Sequence, residues 1–99
     1  MINQTQILNY LSENKQGISQ KYHLTKLGIF GSYARNEQSP NSDLDLLIEF
    51  KENTPDLTDK KKFLQEEIQA AFNLRVDICR EKYIKSIFRQ QILNDAIYV

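Results

Sequence analysis

The stretch from Leu24 to Phe50 constrains this chain most. An apolar run, LTKLGIF, ends directly on Gly31-Ser32, and after ten further residues Asp43-Leu44-Asp45 opens a second run, DLDLLIEF. Both runs are strand-like in length and composition, the first alternating and then continuously apolar as a strand with one deeply buried end would be. Strand side chains alternate between faces, so Asp43 and Asp45 share one face while Leu44 enters the core. Two carboxylates on one face repel. At ~4 Å and an effective dielectric near 20, like charges cost on the order of 4 kcal/mol. A divalent cation between them removes that cost, and hard oxygen ligands suit Mg²⁺ or Mn²⁺ better than Zn²⁺.

Gly31-Ser32 supplies a complementary element. It stands where a strand hands over to a short helical turn, Tyr33-Ala34-Arg35. Glycine allows close backbone approach. The N–H groups of a helix start are unpaired and face anions favourably, and Ser32 adds a hydroxyl. A triphosphate held there would present its α-phosphorus to metal ions on Asp43 and Asp45, the arrangement of an in-line displacement. A third acid lies downstream. In LRVDIC, Val76 and Ile78 share one face and Arg75, Asp77 and Cys79 the other. If this strand neighbours the first aspartate strand, Asp77 reaches the same cluster and can help remove an acceptor proton. Each assignment has a plainer rival: Asp77 pairing with Arg75 or Arg80, Ser32 capping its turn, Arg35 lying in solvent.

The rest of the chain is expected to supply helices. Ile7, Leu8 and Leu11 predict a helix over Thr5–Asn14, capped by Thr5 and broken at Gly17, with a second short helix from Ile18 to His23. Asn36–Ser42 and Glu52–Asp56 read as loops. Thr58–Phe72 reads as a helix burying Phe63, Leu64, Ile68, Ala71 and Phe72, and Glu81–Asn94 as one burying Ile84, Ile87, Phe88 and Ile92. The tail Ala96–Val99 is a short strand or a partner contact. The order predicts an α/β (α+β) domain, a small mixed sheet flanked by helices.

With 99 residues, one domain over 1–99 is expected. Its 13 basic and 13 acidic residues balance, which disfavours a general nucleic-acid binder. The single cysteine excludes an internal disulfide. No apolar run approaches the ~20 residues of a membrane span, and the N-terminus has no secretory pattern. Cytoplasmic residence is the expectation.

The segment FGSYARNEQSPNSDLDLLIEF resembles the DNA polymerase β-like nucleotidyltransferase superfamily: Gly-Ser, a spacer, Asp-x-Asp, and a third acid on a later strand. It is most similar to the minimal nucleotidyltransferase (MNT) group, whose members are typically antitoxins paired with HEPN-domain ribonuclease toxins. The resemblance spans Leu27 to about Tyr98. It implies transfer of AMP from ATP to a tyrosine of a HEPN partner, with two Mg²⁺ ions or Mn²⁺ in their place. Asp43 and Asp45 would bind both metals and Asp77 would complete the site. Gly31 and Ser32 would contact the phosphates, and Arg35 would order the loop or meet phosphate. Asn36 departs from the family's glycine, a mild change because Asn tolerates left-handed backbone. A chain this small has room for the nucleotide half of a site, so the acceptor should arrive on a docked protein. Two other readings remain open: an antitoxin acting by binding alone, and an enzyme modifying a small molecule.

Overall fold

The structure is a computed structural model that describes residues 2–99. It opens with helix α1, Gln4–Tyr22. The cap is Asn3 rather than Thr5. Asn3 Oδ1 accepts from the Gln6 N–H, and Gln6 Oε1 accepts from the Asn3 N–H, both at 2.9 Å. Gly17 does not break the helix. A glycine in a helix costs ~1 kcal/mol relative to alanine. Stopping there would unseat Ile18 and Tyr22, only 3% and 4% exposed, and burial of such side chains is worth about 1.5–3 kcal/mol each. Burial wins, and the helix ends about one and a half turns later on His23 in left-handed backbone (φ 57°).

Strand β1, Leu24–Phe30, follows, then the one-turn helix α2, Gly31–Ala34, and strand β2, Leu44–Phe50. Helix α3 spans Leu57–Phe72 and strand β3 Val76–Arg80. A 3-10 turn at Glu81–Tyr83 precedes helix α4, Ser86–Asp95, and strand β4, Ile97–Tyr98. The sheet order is β3-β2-β1-β4. β1 runs antiparallel to both β2 and β4, and β2 is parallel to β3. The expected mixed sheet is therefore present, and the tail forms a strand. β4 can lie against β1 because position 28 is glycine: a Cβ there would collide with the Ile97 carbonyl.

One face of the sheet carries the core. Ile7, Leu11, Ile18 and Tyr22 of α1 and Leu64, Ile68 and Phe72 of α3 pack on Leu27, Ile29, Leu44, Leu46, Ile48, Val76 and Ile78. Phe63 was expected in this set but is 54% exposed. It lies about 100° round the helix from Leu64, outside the narrow stripe at positions 64, 68 and 72. Alternation sends Asp45, Leu47 and Glu49 to the opposite face.

The expected core stripe of the last helix is corrected more strongly. Ile84 is buried, but Ile87 is 81% exposed, Phe88 is 52% exposed, and α4 buries no residue. The cause is a change of phase. Ile84 and Lys85 are extended, so the helix starts only at Ser86. Glu81 anchors the preceding turn, accepting from Lys26 Nζ at 2.9 and 3.0 Å and from the Tyr98 hydroxyl at 2.6 Å. Among the described residues no helix is long and apolar enough to cross a membrane.

Candidate active site

The candidate site forms where β1 and β2 meet, on the sheet face away from α1 and α3. Gly31 follows β1 with φ +73°, a left-handed conformation that favours glycine. A Cβ there would collide with Asp45 Oδ2. The phosphate-type turn and the aspartate strand are thus in direct contact, and only glycine permits it.

Helix α2 is fixed from beneath. Tyr33 is 1% exposed. It is a core anchor and is closed to base stacking. Asn36 takes φ 58°, the left-handed backbone that asparagine tolerates. Ser32 is half-buried, and α2 has no side-chain cap, so the capping rival for Ser32 fails. Arg35 is engaged by Glu37 at 3.3 Å and Asp95 at 3.2 Å rather than lying free in solvent. One contact escaped the sequence reading altogether. Gln4 Nε2, in the first turn of α1, donates to the carbonyls of Tyr33 at 3.1 Å and Ala34 at 2.8 Å. Both carbonyls lie at the end of α2, where intrahelical partners run out, and that of Tyr33 also accepts from the Asn36 N–H at 3.2 Å. A glutamine at the first position of a helix carries no sequence signal for such a long-range tie.

The third aspartate stands beside the second. Asp45 and Asp77 are register partners on the parallel strands β2 and β3, so their side chains share a face. Asp45 is half-buried and Asp77 exposed. Burial, the neighbouring Asp77 and then Asp43 push the Asp45 carboxyl up to about 6, with Arg35 opposing. Asp77 pairs with neither candidate arginine. Arg75 Nε lies 2.9 Å from Asp43 Oδ1, and Arg80 is bonded to Glu49.

Asp43 differs from the other two. It precedes β2 rather than opening it. Its Oδ1 is buried, and the Arg75 contact is not aligned as a hydrogen bond, so that oxygen has no hydrogen-bond partner. Among the described residues, no three acidic, histidine or cysteine side chains are gathered as a ready cation cage. The structure therefore brings Asp45 and Asp77 together and leaves Asp43 drawn to Arg75. The donor set still fits a hard divalent ion. It offers an orphaned buried carboxylate oxygen, a second carboxylate whose ionisation is suppressed, and a third open to water. A groove of about 700 Å³ lies elsewhere, lined by Glu49, Arg80, Tyr83 and the Lys51–Thr54 loop. It includes none of the aspartates, and its Glu49 and Arg80 satisfy each other.

Comparison with known proteins gives the family and the fold. Residues 11–99 match the nucleotidyltransferase domain family. Protein adenylyltransferase MntA of Thermococcus cleftensis is 33% identical over 101 residues, covering 100% of this chain and 98% of that protein. The solved structure of a provisionally assigned minimal nucleotidyltransferase superposes with a TM-score of 0.78 at 28% identity, over 97% of this chain and 95% of that one. A toxin–antitoxin crystal structure with AMP-PNP shares the fold, with a TM-score of 0.67 at 18% identity over 87% of this chain and 69% of that one. With a match that leaves out only the first ten residues and a sheet that sets Asp45 beside Asp77, the chain belongs to the nucleotidyltransferase domain family and is a nucleotidyltransferase.

Proposed function

We propose that this enzyme transfers AMP from ATP to a hydroxyl, probed first as tyrosine, on a HEPN-type ribonuclease toxin, and so acts as its antitoxin. The reading rests chiefly on the Asp45–Asp77 pair abutting Gly31. Kinship with a protein adenylyltransferase supports a protein acceptor. The similar fold in a toxin–antitoxin complex that holds AMP-PNP supports the toxin and the nucleotide.

In this reading the triphosphate lies along Gly31 and Ser32, where the glycine backbone allows close approach and the serine hydroxyl can donate. Arg35 holds the turn to Glu37 and Asp95 and sends positive potential toward Asp45. Asp43 and Asp45 would hold two Mg²⁺ ions, or Mn²⁺, and Asp77 the one nearer the acceptor. When bound, these ions would neutralise charge on the attacking and leaving oxygens. The exposed Asp77 accepts the acceptor's proton as the new oxygen–phosphorus bond forms. The bond from the α-phosphorus to the bridging oxygen breaks, and pyrophosphate leaves.

A second reading, neutralisation by binding alone, is favoured by one observation: the uncovered Ile87 and Phe88 on α4. One experiment separates the two. The chain and an Asp43→Asn/Asp45→Asn variant are each mixed with ATP labelled at the α-phosphate, Mg²⁺ and the toxin. Label on the toxin with the wild type only supports transfer. Equal neutralisation by both proteins without label supports binding. Label on a small molecule without any protein partner would overturn both.

A further inference from the structure

We propose that Arg75 is a built-in counter-ion that holds Asp43 until a divalent cation displaces it, and thereby tunes how tightly the site takes metal. The inference rests on the reading of Asp43, Asp45 and Asp77 as metal ligands.

Arg75 sits immediately before β3, two residues from Asp77. Its backbone carbonyl accepts from the Leu44 N–H at 2.9 Å, which fixes its Cα beside the start of β2. From there the side chain reaches Asp43, Nε to Oδ1 at 2.9 Å. Among the described residues, the side chain's only other polar contact is a long one, NH2 to the Asn41 carbonyl at 3.5 Å. The guanidinium is therefore tethered lightly. The Arg75 side chain is 78% exposed, against 35% for Asp43. Arg35 is occupied by Glu37 and Asp95, and Arg80 by Glu49. Among the described residues, Arg75 is the one cation in ion-pair contact with any of the three aspartates, and it touches Asp43 alone.

The chemistry of such a pair is competitive. Asp43 Oδ1 cannot serve a metal ion fully while a guanidinium stands 2.9 Å away. The contact lacks hydrogen-bond alignment, so charge alone maintains it, and a divalent ion brings twice the charge. A strong, buried, bidentate arginine would lock the site shut. An exposed pair is weak, shifting an equilibrium by up to about fivefold. Arg75 acts through Asp43 and is a positioning residue, one that steadies the carboxylate before loading and yields on loading.

The test measures Mn²⁺ binding, without nucleotide or turnover, by loss of the free-ion electron paramagnetic resonance signal. It compares the wild type with R75Q and R35Q, with folding of each checked by circular dichroism. Arg35 is the control, because its charge is felt at Asp45 but it touches none of the three acids. R75Q should bind Mn²⁺ about three- to fivefold tighter than the wild type and clearly tighter than R35Q. Equal affinity of R75Q and wild type, or of R75Q and R35Q, overturns the counter-ion role while leaving the metal site standing. Failure of the metal reading looks different: the wild type would bind Mn²⁺ no better than an Asp45→Asn/Asp77→Asn variant.

Discussion

Asp45 and Glu49 lie on the same strand, point to the same face and are separated by two repeats of the pleat, yet they have opposite fates. Glu49 is a completed structural group. Burial pushes its carboxyl up, but the Arg80 side chain and the N–H groups of Lys82 and Phe50 donate to it and together hold it below the ordinary value. Asp45 also suffers burial, but its neighbours are Asp77 and Asp43, and it is pushed up to about 6. One end of β2 spends its carboxylate on the fold. The other keeps a carboxylate the fold would be better without, which is the usual mark of a site maintained for a ligand.

The largest test of this contrast is removal of the unsatisfied end. Asp45→Asn or Asp77→Asn should lower nucleotidyl transfer on the order of 10²–10³-fold, the loss typical of a preorganised charge at the reacting centre. Neither should lower the melting temperature, because a repulsion is removed. An Asp45→Asn protein that melts well below the wild type would place Asp45 with Glu49 as a structural group.

The satisfied end should behave in reverse. Glu49→Gln strands Arg80, whose side chain is 15% exposed. The cost should fall between the exposed and buried limits for a broken pair, about 2 kcal/mol, or roughly 10 °C in a domain of this size. Thermal unfolding checks it, and retained transfer activity at low temperature would confirm that this carboxylate serves the fold alone.

A smaller effect appears in pH. Asp45 has a raised folded value, about 6 against 3.8. Between these values the folded protein keeps a proton that the unfolded chain has released, so stability falls as pH rises through this window. Glu49 has a lowered folded value. Its stabilisation is present above the unfolded value and is lost as pH falls through the folded one. Solvent screening of this half-exposed carboxyl leaves only about a third of the ~3 kcal/mol that the full shift would carry, so melting curves of wild type and Asp45→Asn should coincide near pH 3.5 and separate by about 5 °C above pH 6, equivalent to roughly 1 kcal/mol. Mg²⁺ should narrow the gap at pH 7.5 and leave it unchanged at pH 4.

Much of this site could be read from the chain because its parts are local. Period-two alternation places Asp45 and Asp77 opposite Leu44 and Val76 without reference to the rest of the molecule, and Gly31-Ser32 marks a strand end by itself. What stayed hidden depends on distant partners. The continuity of α1 through Gly17 is decided by what Ile18 and Tyr22 pack against. The register of α4 is set by Glu81 bonding to Lys26 and Tyr98, which belong to two other strands. The pairing of Arg75 with Asp43, rather than with Asp77 two residues away, follows from how β2 and β3 start side by side.

Gln4 tests the limit of that legibility, and its effect should be the smallest. It lies in the first turn of α1, ahead of residue 11, where the match to the family begins. Its two bonds to α2 are neutral, each worth ~1 kcal/mol in net terms. Part of that holds α1 to the sheet and part holds the turn bearing Gly31 and Ser32. Gln4→Leu should weaken binding of a non-hydrolysable ATP analogue about threefold. Gln4→Glu should do the same, since a carboxylate cannot donate to the two carbonyls. Titration calorimetry with both variants decides the matter. A lower melting temperature with unchanged nucleotide affinity would make Gln4 a tie between helices, and the phosphate turn would then owe its shape to Tyr33 and Gly31 alone.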